Sequence, residues 1–460
     1  MIRSTSSSLV VINVVGLTPS LLGEHTPNLN KLICDGGMQP VEGIFPAVTT
    51  SAQASMMTGK LPNEHGIVGN GWYWRELAEV KFWLQPDQLV QSPKVWERLK
   101  QDNPQFVCSR LFWWYNMYGD VDFSVTPRPH YHADGSKEIG LYSSPPDLFQ
   151  RLEAELGKFP FFDFWGPKAN IKSSQWIADA AALEFEWHQP NLQLVYLPHL
   201  DYNLQRLGPK DPAIGKDVKA IDAIIGQLVN RVRKLGAEVL VVSEYGITQV
   251  SRPVHINRLL HEHGYLQLRK SASWELLDYG ASKAFAVADH QIAHIYIKDS
   301  DDIPNITKLL ESCDDIEQVL GSDGKLTMGV NHQRSGELIA VAKPGAWFTY
   351  YFWLDETKAP DFARTVDIHR KPGYDPVELF VDPQIRFPGL KVARRIAQKK
   401  LGMRMLMDVI PLDASLVKGS HGRLADSKEE GPLLISTISE MVETASVLTD
   451  VEHLIYKFFK

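Results

Sequence analysis

The amino-acid sequence predicts an α/β protein: a mostly parallel sheet flanked by helices, with a smaller inserted α+β domain. Three observations predict it. Apolar, strand-like runs alternate along the chain with stretches of helical period, the pattern of βαβ units. Gly and Pro stand where those elements should start and stop. From about residue 251 to 410 the texture changes to short strands among Pro- and Gly-rich connectors, which marks an insertion.

In chain order, LVVINVVGL (9–17) reads as the first core strand. Thr26-Pro27 caps and opens a helix through Leu29, Leu32 and Ile33, which Gly36 closes. LQLVYLPHLD (192–201) reads as a second buried strand. Val218, Ile221, Ile225, Leu228, Val229, Val232 and Leu235 then recur at helical spacing, with Gly236 as terminator. AEVLVVSEYG (237–246) is the next strand, AHIYIKD (293–299) and GELIAVAKPG (336–345) are strands of the insertion, and GPLLIST (431–437) and VEHLIYKFF (451–459) close the core as strand and helix. The expected division is a core over 1–250, an inserted cap over 251–410, and the remaining core over 411–460.

Composition narrows the function. The 460 residues are 44% hydrophobic and 22% charged, ordinary for a globular protein, and the length buries a large core. A net charge of −7 argues against a nucleic-acid surface, which needs clustered Lys and Arg. The one basic run, KVARRIAQKKLGMR (391–404), is expected to be a solvated helix face. Cys34, Cys108 and Cys313 are dispersed and form no ligand-spaced pair, which fits a reducing compartment. The opening MIRSTSSSLVVINVVGL has one Arg and an apolar run, but no small-residue cleavage site follows and the run is too short to span a bilayer. The expectation is a cytoplasmic protein with no membrane and no nucleic-acid partner.

The strand at 237–246 ends on Ser243, Glu244, Tyr245 and Gly246. In open α/β sheets, ligand chemistry sits at the carboxyl ends of strands, so an acid and a phenol there mark a candidate site. Thr49 and Thr50 lie just before a small-residue helix, SAQASMMTG (51–59). Free N–H groups and the positive end of the dipole suit an anion such as phosphate at such a position. A plain N-cap threonine is the alternative.

The full segment FPAVTTSAQASMMTGKLPNEHGIVGNGWY (45–73), with TPNLNKL (26–32), TPRPHYHADG (126–135), YLPHLDYNLQRLGP (196–209), VVSEYGI (241–247) and KGSHGR (418–423), resembles the alkaline-phosphatase superfamily, specifically its nucleotide pyrophosphatase/phosphodiesterase branch. The resemblance implies an alkaline-phosphatase-like fold, a small phosphorylated substrate, a threonine nucleophile and two zinc ions. It assigns the nucleophile to Thr49, places Thr50 at the helix start, and assigns the phosphate-holding asparagine to Asn70. In such enzymes the metals ionise the hydroxyl, and a phosphothreonine forms and is hydrolysed.

The sequence departs from the family at the metal ligands. Where the family has Asp-Gly after the first strand, this chain has Val15-Gly16. Asn13, two residues earlier, is expected to be a satisfied buried amide. An Asp and a His four residues apart become Asp201 and Gln205, and Ser-Asp-His-Gly becomes Ser243-Glu244-Tyr245-Gly246. The histidine of GSHG persists as His421. An unperturbed phenol ionises only near pH ~10, so Tyr245 is a poor ligand. The second zinc position is expected to be empty. Asp201, His421, Gln205 as a weak oxygen ligand, and Glu244 could hold one Mg, Mn or Zn ion.

Two functions follow. One is a phosphoester or pyrophosphate hydrolase using one metal or none, with Asp201 and Glu244 as bases for Thr49. The other is a non-catalytic homologue binding a phosphorylated ligand or a protein partner. Trp72 and Tyr73 follow the Asn70 loop and are expected either to line the pocket or to pack in the core. His199, placed on a strand two residues before Asp201, is a second-tier ligand or base. His130 and His132 read as surface residues, and His290 and His369 as surface or turn residues that could touch substrate.

Overall fold

The computed structural model describes residues 7–133, 137–271 and 274–460. Asp134 and Gly135 of the motif at 126–135 lie outside the described residues. Among the described residues, twelve strands build the two larger sheets. The first takes β1 (Leu9–Val14), β2 (Gly37–Pro40), β3 (Cys108–Leu111), β4 (Phe123–Pro127), β5 (Leu141–Ser144), β6 (Leu192–Leu197) and β7 (Glu238–Val242). The second takes β8 (Ala284–Asp289), β9 (Ile292–Ile297), β10 (Ile316–Leu320) and β11 (Leu338–Ala342), after which β12 (Leu433–Ser436) returns to the first. The first sheet runs β2-β12-β7-β1-β6-β3-β4-β5. Pairs β7-β1, β1-β6, β6-β3 and β3-β4 are parallel, while β12 runs antiparallel to β2 and β7, and β5 antiparallel to β4.

Every side chain of β1 is fully buried, as a central parallel strand covered on both faces must be. Its period of two sorts those side chains. Val10, Ile12 and Val14 pack with helices α1 (Pro27–Asp35), α3 (Ile171–His188) and α5 (Ile214–Lys234). Leu9 and Val11 pack on the other face with α2 (Thr49–Thr58) and α7 (Asp450–Phe458). Each buried Val, Leu or Ile contributes roughly 1.5–3 kcal/mol, so this strand anchors the fold. By the same parity Asn13 points toward the α2 face, a polar side chain in an apolar row.

The second sheet is antiparallel, in the order β8-β9-β11-β10. Its core draws in Val80 and Phe82 from an early hairpin, Gly71–Trp74 with Glu79–Phe82. Helix α6 (Pro388–Lys400), built from the basic run, buries none of its residues. No helix among the described residues is long and apolar enough to cross a membrane.

Two local expectations are corrected. The strand expected over 192–201 stops at Leu197, because Pro198 has no N–H for the ladder and opens a turn. Helix α4 (His199–Leu207) follows at once, so His199 and Asp201 are helical and do not share a strand face. Thr49 is the first helical residue of α2, with Val48 as the extended N-cap, so neither threonine caps the helix from outside.

Candidate active site

The site assembles where β7, α2, α4 and the 419–422 segment meet the turn of the second sheet between β8 and β9. Thr49 Oγ1 lies 2.9 Å from the Tyr245 hydroxyl. Beside it, the Thr50 amide donates to Asn70 Oδ1 (3.1 Å), and the Thr50 hydroxyl donates to the Gly69 carbonyl (2.8 Å). The Asn70 backbone N–H and Nδ2 both donate to Asp289 (2.7 and 3.1 Å). The loop carrying Asn70 is thereby pinned on one side to α2 and on the other to β8.

Glu244 is fully buried. Its Oε1 accepts from the Asn13 and Gln53 side-chain amides (2.5 and 2.7 Å), and Oε2 has no hydrogen-bond partner among the described residues. Asn13 therefore serves the site directly. Burial pushes the Glu244 carboxyl up to about 8, against the pull of Gln53, Asn13 and Thr49. Burial likewise pushes Asp201 up to about 7, against the amide of Gln205.

Four rings form a column through the centre. Tyr245 stacks on His421 with centroids 3.7 Å apart, His421 meets His290 at 3.7 Å with the rings tilted by 36°, and His290 stacks on Tyr374 at 3.6 Å. His421 Nδ1 donates to the Ala47 carbonyl (2.8 Å), so its Nε2 carries the lone pair, 3.9 Å from Asp201 Oδ1. His290 Nδ1 lies 2.7 Å from Asp289 Oδ1, and its Nε2 is buried without a partner among the described residues. Burial lowers both imidazoles well below their ordinary range, so they are neutral, and the His421–Asp201 approach is not an ion pair. Burial raises the Tyr245 phenol well above 10, so it stays protonated.

His290 sits in the left-handed region (φ 63°), at the tip of the β8–β9 hairpin. Side chains other than Gly rarely adopt that conformation. The ring contacts, Asp289, and a Gln291 N–H donated to the His421 carbonyl (2.7 Å) hold it there. The second sheet thus inserts its hairpin tip into the first sheet's site.

The ligand set expected from the sequence does not fit a two-metal cluster. Val15 has no donor and lies in the same apolar cluster as Tyr245 and Leu204. Tyr245 is a neutral phenol. Gln205 does not offer its oxygen: Nε2 donates to Asp201 Oδ2 (2.7 Å), and Oε1 accepts from the Tyr374 hydroxyl (3.1 Å). Among the described residues, no group of three or more His, Cys, Asp or Glu is placed to hold a metal ion. What remains is a surplus of buried acceptors: Glu244 Oε2, Asp201 Oδ1, His290 Nε2 and Asn13 Oδ1.

The structure brings Thr49, Thr50, Asn70, Asp201, Gln205, Glu244, Tyr245 and His421 together, and adds His290. It places the other candidates elsewhere. Trp72 is buried, stacks on Trp74 and lies under the Arg334 guanidinium. Tyr73 packs on Phe285 and Tyr296 of the second sheet. Both pack against the second sheet, Trp72 in a cluster with Ile292, Ile339 and Val341. His199 turns to α5, with Nε2 3.1 Å from Asp217. His132 meets Glu138 on the surface near His130, and His369 lies by the Phe82 carbonyl. Sequence reasoning passed over Asp289, Tyr374 and Gln53. Asp289 adjoins His290, so an acid next to a candidate histidine was the available signal.

Residues 9–375 match the family of type I phosphodiesterases/nucleotide pyrophosphatases. An uncharacterized pyrophosphatase/phosphodiesterase of Schizosaccharomyces pombe is 22% identical over 260 residues, 55% of this chain. The chain's match spans about half of that relative, 47%. Among solved structures, the phosphonoacetate hydrolase of Sinorhizobium meliloti in complex with phosphonoformate superposes with a TM-score of 0.62 at 14% identity, covering 99% of this chain and 96% of that one. A human ectonucleotide pyrophosphatase/phosphodiesterase gives 0.60 at 14% identity, covering 98% and 95%. Its murine counterpart in complex with AMP gives 0.59 at 13%, covering 98% and 95%. At these identities the likeness is one of fold, and the fold is alkaline-phosphatase-like.

Proposed function

The chain belongs to the type I phosphodiesterase/nucleotide pyrophosphatase family, and from that premise we propose that it hydrolyses phosphoric esters or anhydrides of small molecules at Thr49, with at most one divalent cation (Zn, Mg or Mn) in the site. The observation that carries this reading is the position of Thr49: first residue of α2, hydroxyl on Tyr245, with the buried Glu244 among its neighbours. The AMP bound by the murine relative makes nucleotide esters the first substrates to test. Asp201 and His421 are the retained pair that a single cation would use. Metal-binding histidines are oriented through their second nitrogen, as Nδ1 of His421 is by Ala47. A cation there would withdraw charge from a phosphoryl oxygen. A cytoplasmic location goes with the reading, and Cys34, Cys108 and Cys313 are all free thiols.

In the proposed reaction Thr49 Oγ1 attacks phosphorus while its proton passes to Oε2 of ionised Glu244. The bond from phosphorus to the leaving oxygen breaks, and that oxygen takes a proton from water. A second water then attacks the phosphothreonine, giving one proton to ionised Asp201, which passes it on to the hydroxide left by the first water. The bond to Oγ1 breaks, and Glu244 returns its proton to the threonine. The test is nitrophenol release from bis-nitrophenyl phosphate and from a nucleotide nitrophenyl ester, by the native protein and by Thr49→Ala. Equal rates for the two proteins refute the proposal.

A second reading has its own support: Tyr245 covers the Thr49 hydroxyl, and the Asn70 amide is already occupied by Thr50 and Asp289. On that reading the chain is a non-catalytic homologue that binds a phosphorylated ligand or a protein. Calorimetry with a nucleotide phosphodiester separates the two, since binding of the diester without turnover under Zn, Mg or Mn favours the second.

A further inference from the structure

Helix α6 lies on an arm that leaves the second core at Asp382 and returns at Val409, where the Asp382 N–H donates to the Val409 carbonyl (2.8 Å). The arm lies beyond residues 9–375, which match the family. Between residues 383 and 407 it carries seven Lys or Arg and no Asp or Glu, on a chain of net charge −7. Lys391 and Arg395 turn inward onto Asp408 (3.0 and 2.8 Å) and fasten the helix down. Arg386, Arg394, Lys399, Lys400 and Arg404 make no ion pair among the described residues.

The outward face is apolar. Phe387 is 61% exposed, Leu390 71%, Leu401 76% and Met403 53%. At about 100° per residue, Leu390, Ala397 and Leu401 fall within roughly 40° of one line along the helix, with Arg394 and Lys400 on either side of it. A helix of a globular protein ordinarily turns its apolar stripe to the core and its charges to water. Here the stripe faces water. A merely solvated face, the reading of this run from sequence, accounts for the cations and leaves the leucines unexplained.

We infer that the outer face of this arm seats on an anionic phospholipid surface. The charge complementarity is one-sided, as lipid phosphates and carboxylates require. The large apolar side chains lie where an in-plane helix buries them at the acyl boundary, and the long Lys and Arg stems reach back to the headgroups. A nucleic-acid duplex would engage the cations and leave Phe387, Leu390 and Leu401 in water. This inference does not depend on the reaction proposed at Thr49.

The full-length protein is sedimented with vesicles of phosphatidylcholine alone and with vesicles containing phosphatidylserine. We expect at least about tenfold tighter binding to the anionic vesicles, lost at high salt. Leu390→Ser with Leu401→Ser, and separately Arg394→Glu with Lys400→Glu, should each weaken it by about tenfold with unchanged melting temperature, since all four side chains are exposed. The inference is overturned if the native protein stays in solution with anionic vesicles. It is also overturned if the leucine variant binds as well as native protein, or if light scattering shows a native dimer that the leucine variant dissociates.

Discussion

Thr49 Oγ1 and the Tyr245 hydroxyl lie 2.9 Å apart, and the Tyr245 ring rests flat on His421, 11° from parallel. The phenol is therefore fixed at both ends, by a ring and by a hydroxyl. Because it stays protonated, it can donate to Oγ1 and leave the threonine's own proton free to point at Glu244.

Tyr245→Phe keeps the ring stack and deletes the donor. We expect kcat for a nitrophenyl phosphodiester to fall about tenfold or more with little change in KM, because the lost contact orients the attacking atom. The melting temperature should also fall, since Thr49 is left without its buried partner, at a cost of about 1–3 kcal/mol. A rise in kcat would mean that the phenol obstructs the site, as the non-catalytic reading holds.

Metal content follows from the donor set. Elemental analysis of the purified protein should find no more than about one equivalent of divalent metal per chain. Combining Val15→Asp, Gln205→His, Glu244→Asp and Tyr245→His supplies the missing donors and removes the ring from the column. That variant should bind about two equivalents of zinc and gain melting temperature when zinc is added. Two equivalents in the native protein would refute the ligand assignment.

The buried acids set the pH dependence. Glu244, Asp201 and Asp289 are pushed up to about 8, 7 and 6, from ordinary values of 4.5, 3.8 and 3.8. Between the ordinary and the raised values the folded chain binds more protons than the unfolded one, so stability falls as pH rises from about 4 to about 8. The depressed His290 and His421 act oppositely, and remove stability as pH drops below 6.5. Glu244→Gln should lessen the decline in melting temperature above pH ~7, where Glu244 is the acid with most of its titration still to come. In kinetics, kcat/KM should climb as pH rises through about 8 in the native protein, and Glu244→Gln should abolish the climb.

The sequence makes some levels of this structure legible and hides others. The parallel core is readable because each strand is a continuous apolar run and each flanking helix keeps a 3.6-residue stripe, both local signals. The end of β6 is not, because LPHLD continues the apolar run past Pro198 and the helical turn carrying His199 looks the same in composition. Thr49, Asn70, Glu244, Tyr245 and His421 are found through their motifs. Asp289 and Tyr374 have no motif. They reach Asn70 and Gln205 across 219 and 169 residues of chain, a proximity created only when the second sheet docks. Asn13 shows the limit of a bland default: its Nδ2 donates to the site's own carboxylate, but its Oδ1 has no partner among the described residues, so the amide is not the satisfied one expected.

Asp289 joins the two sheets at the site, and its replacement is the sharpest test of that docking. One carboxylate accepts from the Asn70 backbone, the Asn70 side chain and His290. Asp289→Ala leaves three buried donors unsatisfied at about 1–3 kcal/mol each, so a marked fall in melting temperature is expected. Asp289→Asn keeps one acceptor oxygen for those three donors and should fall between alanine and native. Freed of its tie, His290 should leave the left-handed region and expose the column, so its ring should become reactive to diethyl pyrocarbonate. If Asp289→Ala melts with the native protein and His290 stays protected, the hairpin tip is held by packing alone and the role assigned to Asp289 is wrong.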